Sequence, residues 1–198
     1  MSCIRNIRDF KDIHSHRITA DDITVANLSY FDTIPSEGFY SIGIHPWMTD
    51  KDNNTLALLF DKIKANAGLE NVVAIGECGI DLLRGASIDK QKDLFIKHIE
   101  LSESVNKPLI LHAVKSFDIL LLLKKKYLPS QEWIIHGFRG KPQLASQLLD
   151  NGFSLSFGEK FNPQSVCVVP DNRIFFETDE SNLDIDTIRC NIEKYRNH

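Results

Sequence analysis

Val72-Val73-Ala74-Ile75-Gly76-Glu77-Cys78-Gly79 is a short apolar run that ends on a carboxylate set between two glycines. The β-branched residues predict a strand over 72–75. Glycine on either side lets backbone approach closely while the Glu77 side chain enters a site. The plainer alternative is an acid that caps the start of a loop.

Comparable runs stand at 10–14, 39–44, 109–111, 133–135, 153–157 and 174–176. Turn or polar residues follow each, and then a helix-like stretch, an alternation that predicts an α/β fold with a parallel sheet. Apolar residues at helical spacing mark helices over 55–65, 87–105 and 117–126. Gly68 is placed to stop the first and Ser116 to cap the third; Pro142 opens a fourth, which Asn151-Gly152 ends. The stretch 17–38 is too short for a full helix and another strand at usual lengths. The expected architecture is a shortened, seven-stranded TIM-like parallel barrel with outer helices, whose gap leaves two strand edges to be covered.

Six of the seven predicted strands end in a residue that can bind a metal or move a proton. These ends read Asp12-Ile13-His14-Ser15-His16, Gly43-Ile44-His45-Pro46, Gly76-Glu77, Leu111-His112, Ile135-His136-Gly137 and Glu177-Thr178-Asp179. In a barrel they converge on the C-terminal face, where active sites of this architecture lie. His14 and His16 stand two apart on a strand, so both imidazoles point to one side and can grip one cation. The two oxygens of Glu77 can bridge two cations, as a two-metal hydrolase needs for ions about 3.5 to 4 Å apart with an attacking hydroxide between them. Histidines with carboxylates favour Zn²⁺, Mn²⁺, Ni²⁺ or Fe²⁺ over Mg²⁺, which prefers fewer nitrogens.

With 198 residues the chain suits a single domain over 1–198. No apolar run approaches the about 18 residues of a membrane span, and 1–11 lacks the apolar stretch of a secretory signal. Cys3, Cys78, Cys167 and Cys190 show no C-x-x-C pairing and read as free thiols in a reducing cytoplasm. Net charge is −4, and the one basic run, Lys124 to Lys126, suits a helix C-terminus rather than a footprint for duplex nucleic acid. Bound metal must therefore supply much of any attraction for phosphate. Trp47, Phe138 and Phe157 stand near strand ends, where they either stack on a base or pack the barrel.

In combination, D-x-H-x-H at 12–16, G-I-H-P at 43–46, G-E-x-G-I-D at 76–81, Leu111-His112, H-G-F-x-G at 136–140 and E-T-D at 177–179 resemble the TatD-like metal-dependent deoxyribonucleases, barrel hydrolases with a two-metal centre. The resemblance implies that His14, His16 and Asp179 hold one metal, that His112 and His136 hold the other, and that Glu77 bridges them. Asp179 would orient or deprotonate the attacking water, His45 would contact phosphate or support the ligands, and Asp81 would fix the loop after Glu77. It further implies single-stranded or frayed DNA as substrate, with no membrane and no obligate protein partner. Three departures stand out: Val114 replaces an arginine common two residues after the histidine at 112, the first helix and second strand look deleted between 17 and 38, and Glu180-Ser181 replaces Ser-Pro. These departures point to narrower or altered specificity. They keep open a small-molecule amide, ester or phosphate hydrolase, or a metal-binding scaffold without turnover.

Overall fold

The computed structural model describes residues 5–28 and 33–196. Among these, eight strands form one sheet in chain order: β1 (Asp12–Ser15), β2 (Thr24–Leu28), β3 (Phe39–Ile42), β4 (Val72–Asp81), β5 (Leu109–Val114), β6 (Trp133–Ile135), β7 (Phe153–Phe157) and β8 (Ile174–Phe176). Every neighbouring pair is parallel. The sheet curls back on itself, because the Asp179 N–H donates to His14 O at 2.8 Å and the His16 N–H to Asp179 O at 3.2 Å. Ser15 and Asp179 form a parallel bridge there, so the expected pair of open edges is corrected to a nearly closed barrel.

The strand count is corrected as well, from seven to eight. The second strand is present, and only its helix is missing: 16–23 carries no helix. Asp21 makes the short connection work. Its carboxylate accepts the N–H groups of Ile23 and Thr24 at 3.0 and 2.8 Å and the Thr24 hydroxyl at 3.1 Å, an Asx turn that launches β2 without a crossover helix.

The outer helices are α1 (Asn53–Asn66), α2 (Ile88–Val105), α3 (Phe117–Tyr127), α4 (Pro142–Asp150), the single turn α5 (Pro163–Val166) and α6 (Ile185–Arg196). Asp52 caps α1 and Ser87 caps α2, each accepting the backbone N–H of the third helical residue, Thr55 and Lys90. Two expected punctuation marks act differently. Ser116 makes no cap bond to α3, since its hydroxyl donates to Ile80 O at 2.6 Å and ties the helix start to β4. Gly68 does not stop α1, which already ends at Asn66 with Ala67 as its C-cap.

The core has two parts. One lies between sheet and helices, where Tyr40, Phe95, Trp133 and Phe153 are fully buried. The other joins Ile13, Val25, Ala74, Ile110, Ile134 and Phe175, and residues from strands so far apart in sheet order meet only in the space the barrel encloses. Phe138 and Phe157 belong to the packing, at 2% and 0% exposure, while Trp47 is 45% exposed. No helix among the described residues is long and apolar enough to cross a membrane. Cys78, Cys167 and Cys190 are free thiols; Cys3 lies outside the described residues.

Candidate metal centre

Glu77 projects from the middle of β4, whose ten residues are all buried. The strand passes β5 at unusually close range. A Cβ at Gly79, where φ is +135°, would collide with the carbonyl oxygen of His112, so only glycine lets the two strands place Glu77 and His112 side by side. Asn27 of β2 holds Glu77 from behind: its Oδ1 accepts the Glu77 N–H at 2.9 Å and its amide lies 3.4 Å from Oε2.

The two oxygens of Glu77 face different residues. Oε2 lies 3.4 Å from His14 Nε2 and 3.9 Å from His16 Nε2. Oε1 lies 2.8 Å from His112 Nδ1, 2.8 Å from His136 Nε2 and 3.0 Å from His45 Nε2. Asp179 adds Oδ1 at 3.5 Å from His16 Nε2 and 3.9 Å from His14 Nε2. The Asp179 backbone is left-handed, with φ +51°, a conformation that aspartate tolerates better than most residues and that often marks functional sites. All seven residues expected from the sequence thus converge on one side of the barrel.

Outer carboxylates back two of these imidazoles. Asp81 Oδ2 lies 3.1 Å from His112 Nε2, and Glu177 Oε1 lies 3.4 Å from His136 Nδ1 while accepting the Gly137 N–H at 2.7 Å. A carboxylate behind a histidine fixes the tautomer and turns the other nitrogen toward a cation. His45 is oriented in the opposite sense. Its Nδ1 accepts the Trp47 N–H at 3.1 Å, so neutral His45 carries its proton on Nε2 and presents a donor to the centre rather than a lone pair.

Electrostatics follow this packing. Burial disfavours the ionised Glu77, yet the His136 charge and the hydrogen bonds from His112 and His136 prevail, holding the Glu77 carboxyl well below the usual range. Burial likewise opposes a charged His136, but Glu77 and Glu177 together push its pKa well above that of free imidazole. For His16 burial dominates, with the neighbouring His14 adding to it, and the pKa falls. Asp12, the first residue of D-x-H-x-H, is raised to about 6 by burial; it serves as a staple, accepting the Thr178 N–H at 3.0 Å and hydroxyl at 2.7 Å.

The donor set fits a divalent cation. Three overlapping groups hold ligand atoms within 4.8 Å of one another: His14, His136 and Asp179; His14, His16 and Glu77; His45, Glu77 and His112. His14 is completely buried, and neither of its ring nitrogens has a hydrogen-bond partner. An imidazole left that way is costly, and a cation at Nε2 would supply the missing partner. The third group suits a cation less well, because the Trp47 bond leaves the proton of His45 on the nitrogen that faces inward.

Two contributors were missed in the sequence. Asn27 lay in the segment where no strand was expected. Glu177 stood inside the quoted E-T-D motif, and its place two residues before Asp179 was the available signal.

The family described as TatD related DNase matches residues 8–193. An uncharacterized metal-dependent hydrolase of Buchnera aphidicola is 32% identical over 157 residues, covering 73% of this chain and 60% of that protein. YabD of Bacillus subtilis, also an uncharacterized metal-dependent hydrolase, is 34% identical over 154 residues, covering 71% of this chain and 58% of its own length. The matched region therefore spans less than two thirds of these relatives. Among crystal structures, YJJV, a TatD homologue from Escherichia coli, superposes with a TM-score of 0.63 at 21% identity, covering 80% of this chain and 72% of that one. A TatD family hydrolase from Entamoeba histolytica gives 0.60 at 25% identity, with 71% and 50% covered. With the family matched from β1 into α6, the chain belongs to the TatD-related DNases.

Proposed function

We propose that this chain is a metal-dependent hydrolase that cleaves phosphodiester bonds in single-stranded or frayed DNA, with two divalent cations held around Glu77. One observation carries the proposal: the two oxygens of Glu77 have different nearest histidines, Oε2 facing His14 and His16 and Oε1 facing His112, His136 and His45. His14, His16 and Asp179 would hold one cation, His112 and His136 the other, with Glu77 shared. The nitrogen-rich set favours Zn²⁺, Mn²⁺, Ni²⁺ or Fe²⁺, with Mg²⁺ a poorer match. When bound, such ions supply Lewis-acid activation of water and neutralise charge on the phosphoryl oxygens.

The protein's own groups divide the remaining work. Asp179, partly exposed at the mouth, is placed to orient water and accept its proton. His45 offers its Nε2 proton to a phosphoryl oxygen, where charge grows as the nucleophile adds. Arg139 and Lys160 line a pocket with Asp179, Glu159, Glu177 and Glu180, and these two cations would offset part of the acidic lining where Val114 supplies no charge.

Val114, in the position where an arginine is common, together with the net charge of −4, favours a second candidate from the same superfamily, a small-molecule ester, amide or phosphate hydrolase. Metal-stripped protein resupplied with Mg²⁺, Mn²⁺ or Zn²⁺ and given short single-stranded and duplex DNA separates the two. Ion-dependent cleavage, absent in His112→Ala, supports the nuclease. Ion binding without DNA cleavage under any of these metals shifts the assignment to the small-molecule hydrolase.

A further inference from the structure

Beside His45 the rim of the barrel carries an aromatic surface that the metal chemistry leaves unused. Trp47 follows His45 by two residues in the short 3-10 turn Pro46–Asp50. It is 45% exposed, whereas Trp133 is fully buried. A large exposed aromatic beside a site is the informative kind of exposed apolar residue.

This indole is not loosely held. Its Nε1–H donates to Asp81 Oδ2 at 2.6 Å and its backbone N–H to His45 Nδ1 at 3.1 Å. Its ring centroid lies 4.7 Å from that of His45 and 5.7 Å from that of His112, so whatever covers the indole also touches the reacting region. The exposed Arg84 guanidinium lies 4.3 Å over the same ring.

The loop bearing Arg84 is equally well anchored. The buried Gln91 amide donates to the carbonyls of Asp81, Arg84 and Ala86 at 2.9, 3.0 and 2.9 Å, and Thr49 Oγ1 accepts the Ala86 N–H at 2.9 Å, joining the loop to the turn that carries Trp47. Exposed Leu82 and Leu83 continue the apolar surface.

We propose that Trp47 and Arg84 form a clamp for one unpaired nucleobase of the substrate, adjacent to the hydrolysed phosphodiester. The base would lie on the indole in the place the exposed guanidinium now occupies, with Arg84 swinging outward to cover the other face of the base, gaining stacking and a cation–π contact together. Every base has a flat π-face, so the clamp is tolerant of sequence. A base held within a duplex does not offer that face, so the clamp selects single strands. This inference rests on the phosphodiesterase assignment and deepens it by naming the determinant of strandedness.

The test uses Mn²⁺-loaded protein and two phosphorothioate-linked hexamers that resist hydrolysis, one of thymidine and one abasic throughout. Binding is followed by fluorescence anisotropy of the labelled strands and by quenching of Trp47 emission. The thymidine strand is expected to bind about tenfold more tightly than the abasic strand and to quench the indole saturably. Trp47→Ala lowers its affinity to that of the abasic strand, and Trp47→Phe, which keeps a ring, recovers most of the loss. Equal affinity of the two strands for the wild-type protein, or no binding of either, overturns the clamp. Cleavage of ordinary phosphodiester versions of both strands reads the underlying assignment separately: cleavage of both with equal affinity removes only the clamp, and cleavage of neither removes the assignment.

Discussion

Oδ2 of Asp81 lies 3.1 Å from Nε2 of His112, across the ring from the nitrogen that faces Glu77 at 2.8 Å. The same oxygen accepts the Trp47 indole N–H, and Oδ1 accepts the N–H groups of Leu83 and Arg84. Burial opposes ionisation of Asp81, but these donors keep its pKa below the usual value. Asp81→Ala is expected to weaken ion binding at His112 by about 10- to 100-fold, the usual effect of losing a carboxylate behind a ligand. Asp81→Asn, which retains acceptors for the loop, separates this loss from loop collapse. Metal titration against a competing chelator checks both; wild-type affinity in Asp81→Ala would remove the carboxylate from this role.

Glu77→Gln removes the charge that both histidine groups face. The variant should retain fewer ions than the wild type after equilibrium dialysis, and turnover should fall to background. Full activity with unchanged metal content would take Glu77 out of the centre.

Gly79→Ala places a methyl group against the His112 carbonyl at a φ of +135°. The strain should cost about 1 to 3 kcal/mol and push β5 away from β4, lowering the denaturation midpoint and ion affinity together. A stable variant with normal ion binding would show that the two strands have slack at this point.

His98 gives a pH dependence outside the centre. Its Nε2 accepts the Ile44 N–H at 3.0 Å, and full burial, the main cause, lowers its pKa from 6.5 to about 4. The unfolded chain therefore takes up the proton first. This contribution is complete above pH 6.5, declines as pH falls toward 4 and is flat below, for a total of about 3 kcal/mol. Urea denaturation from pH 7 to 4 should show His98→Gln, which keeps an acceptor but does not titrate, losing about that much less than wild type. Parallel curves for the two proteins would sink the assignment.

Much of the centre was legible because strand ends converge whatever the loops do. Once Val72 to Ile75 and its companions read as strands, His14, Glu77, His112, His136 and Asp179 had to meet. What escaped the sequence was the economy of the connections. A crossover helix is the usual link between successive parallel strands, which makes 17–38 too short for one and hides Asn27 along with β2; the Asp21 turn that replaces the helix needs only a few residues and leaves no hydrophobic period. Glu177 was hidden for a different reason. Its partner is the far nitrogen of His136, a relation set by tertiary approach rather than by spacing along the chain.

The barrel closes where β1 meets the residues after β8, through contacts such as those of Thr178 with Asp12 and Ser15, which lie 166 and 163 residues apart in sequence. Joining ends so distant adds loop-closure entropy, from which this junction is predicted to be among the later contacts to form. Because His14 and His16 stand on one side of it and Asp179 on the other, a partly folded or partly synthesised chain would hold the two halves of the proposed ligand set apart. On the proposed ligand assignment, competence to bind ions would thereby report that the ring has shut.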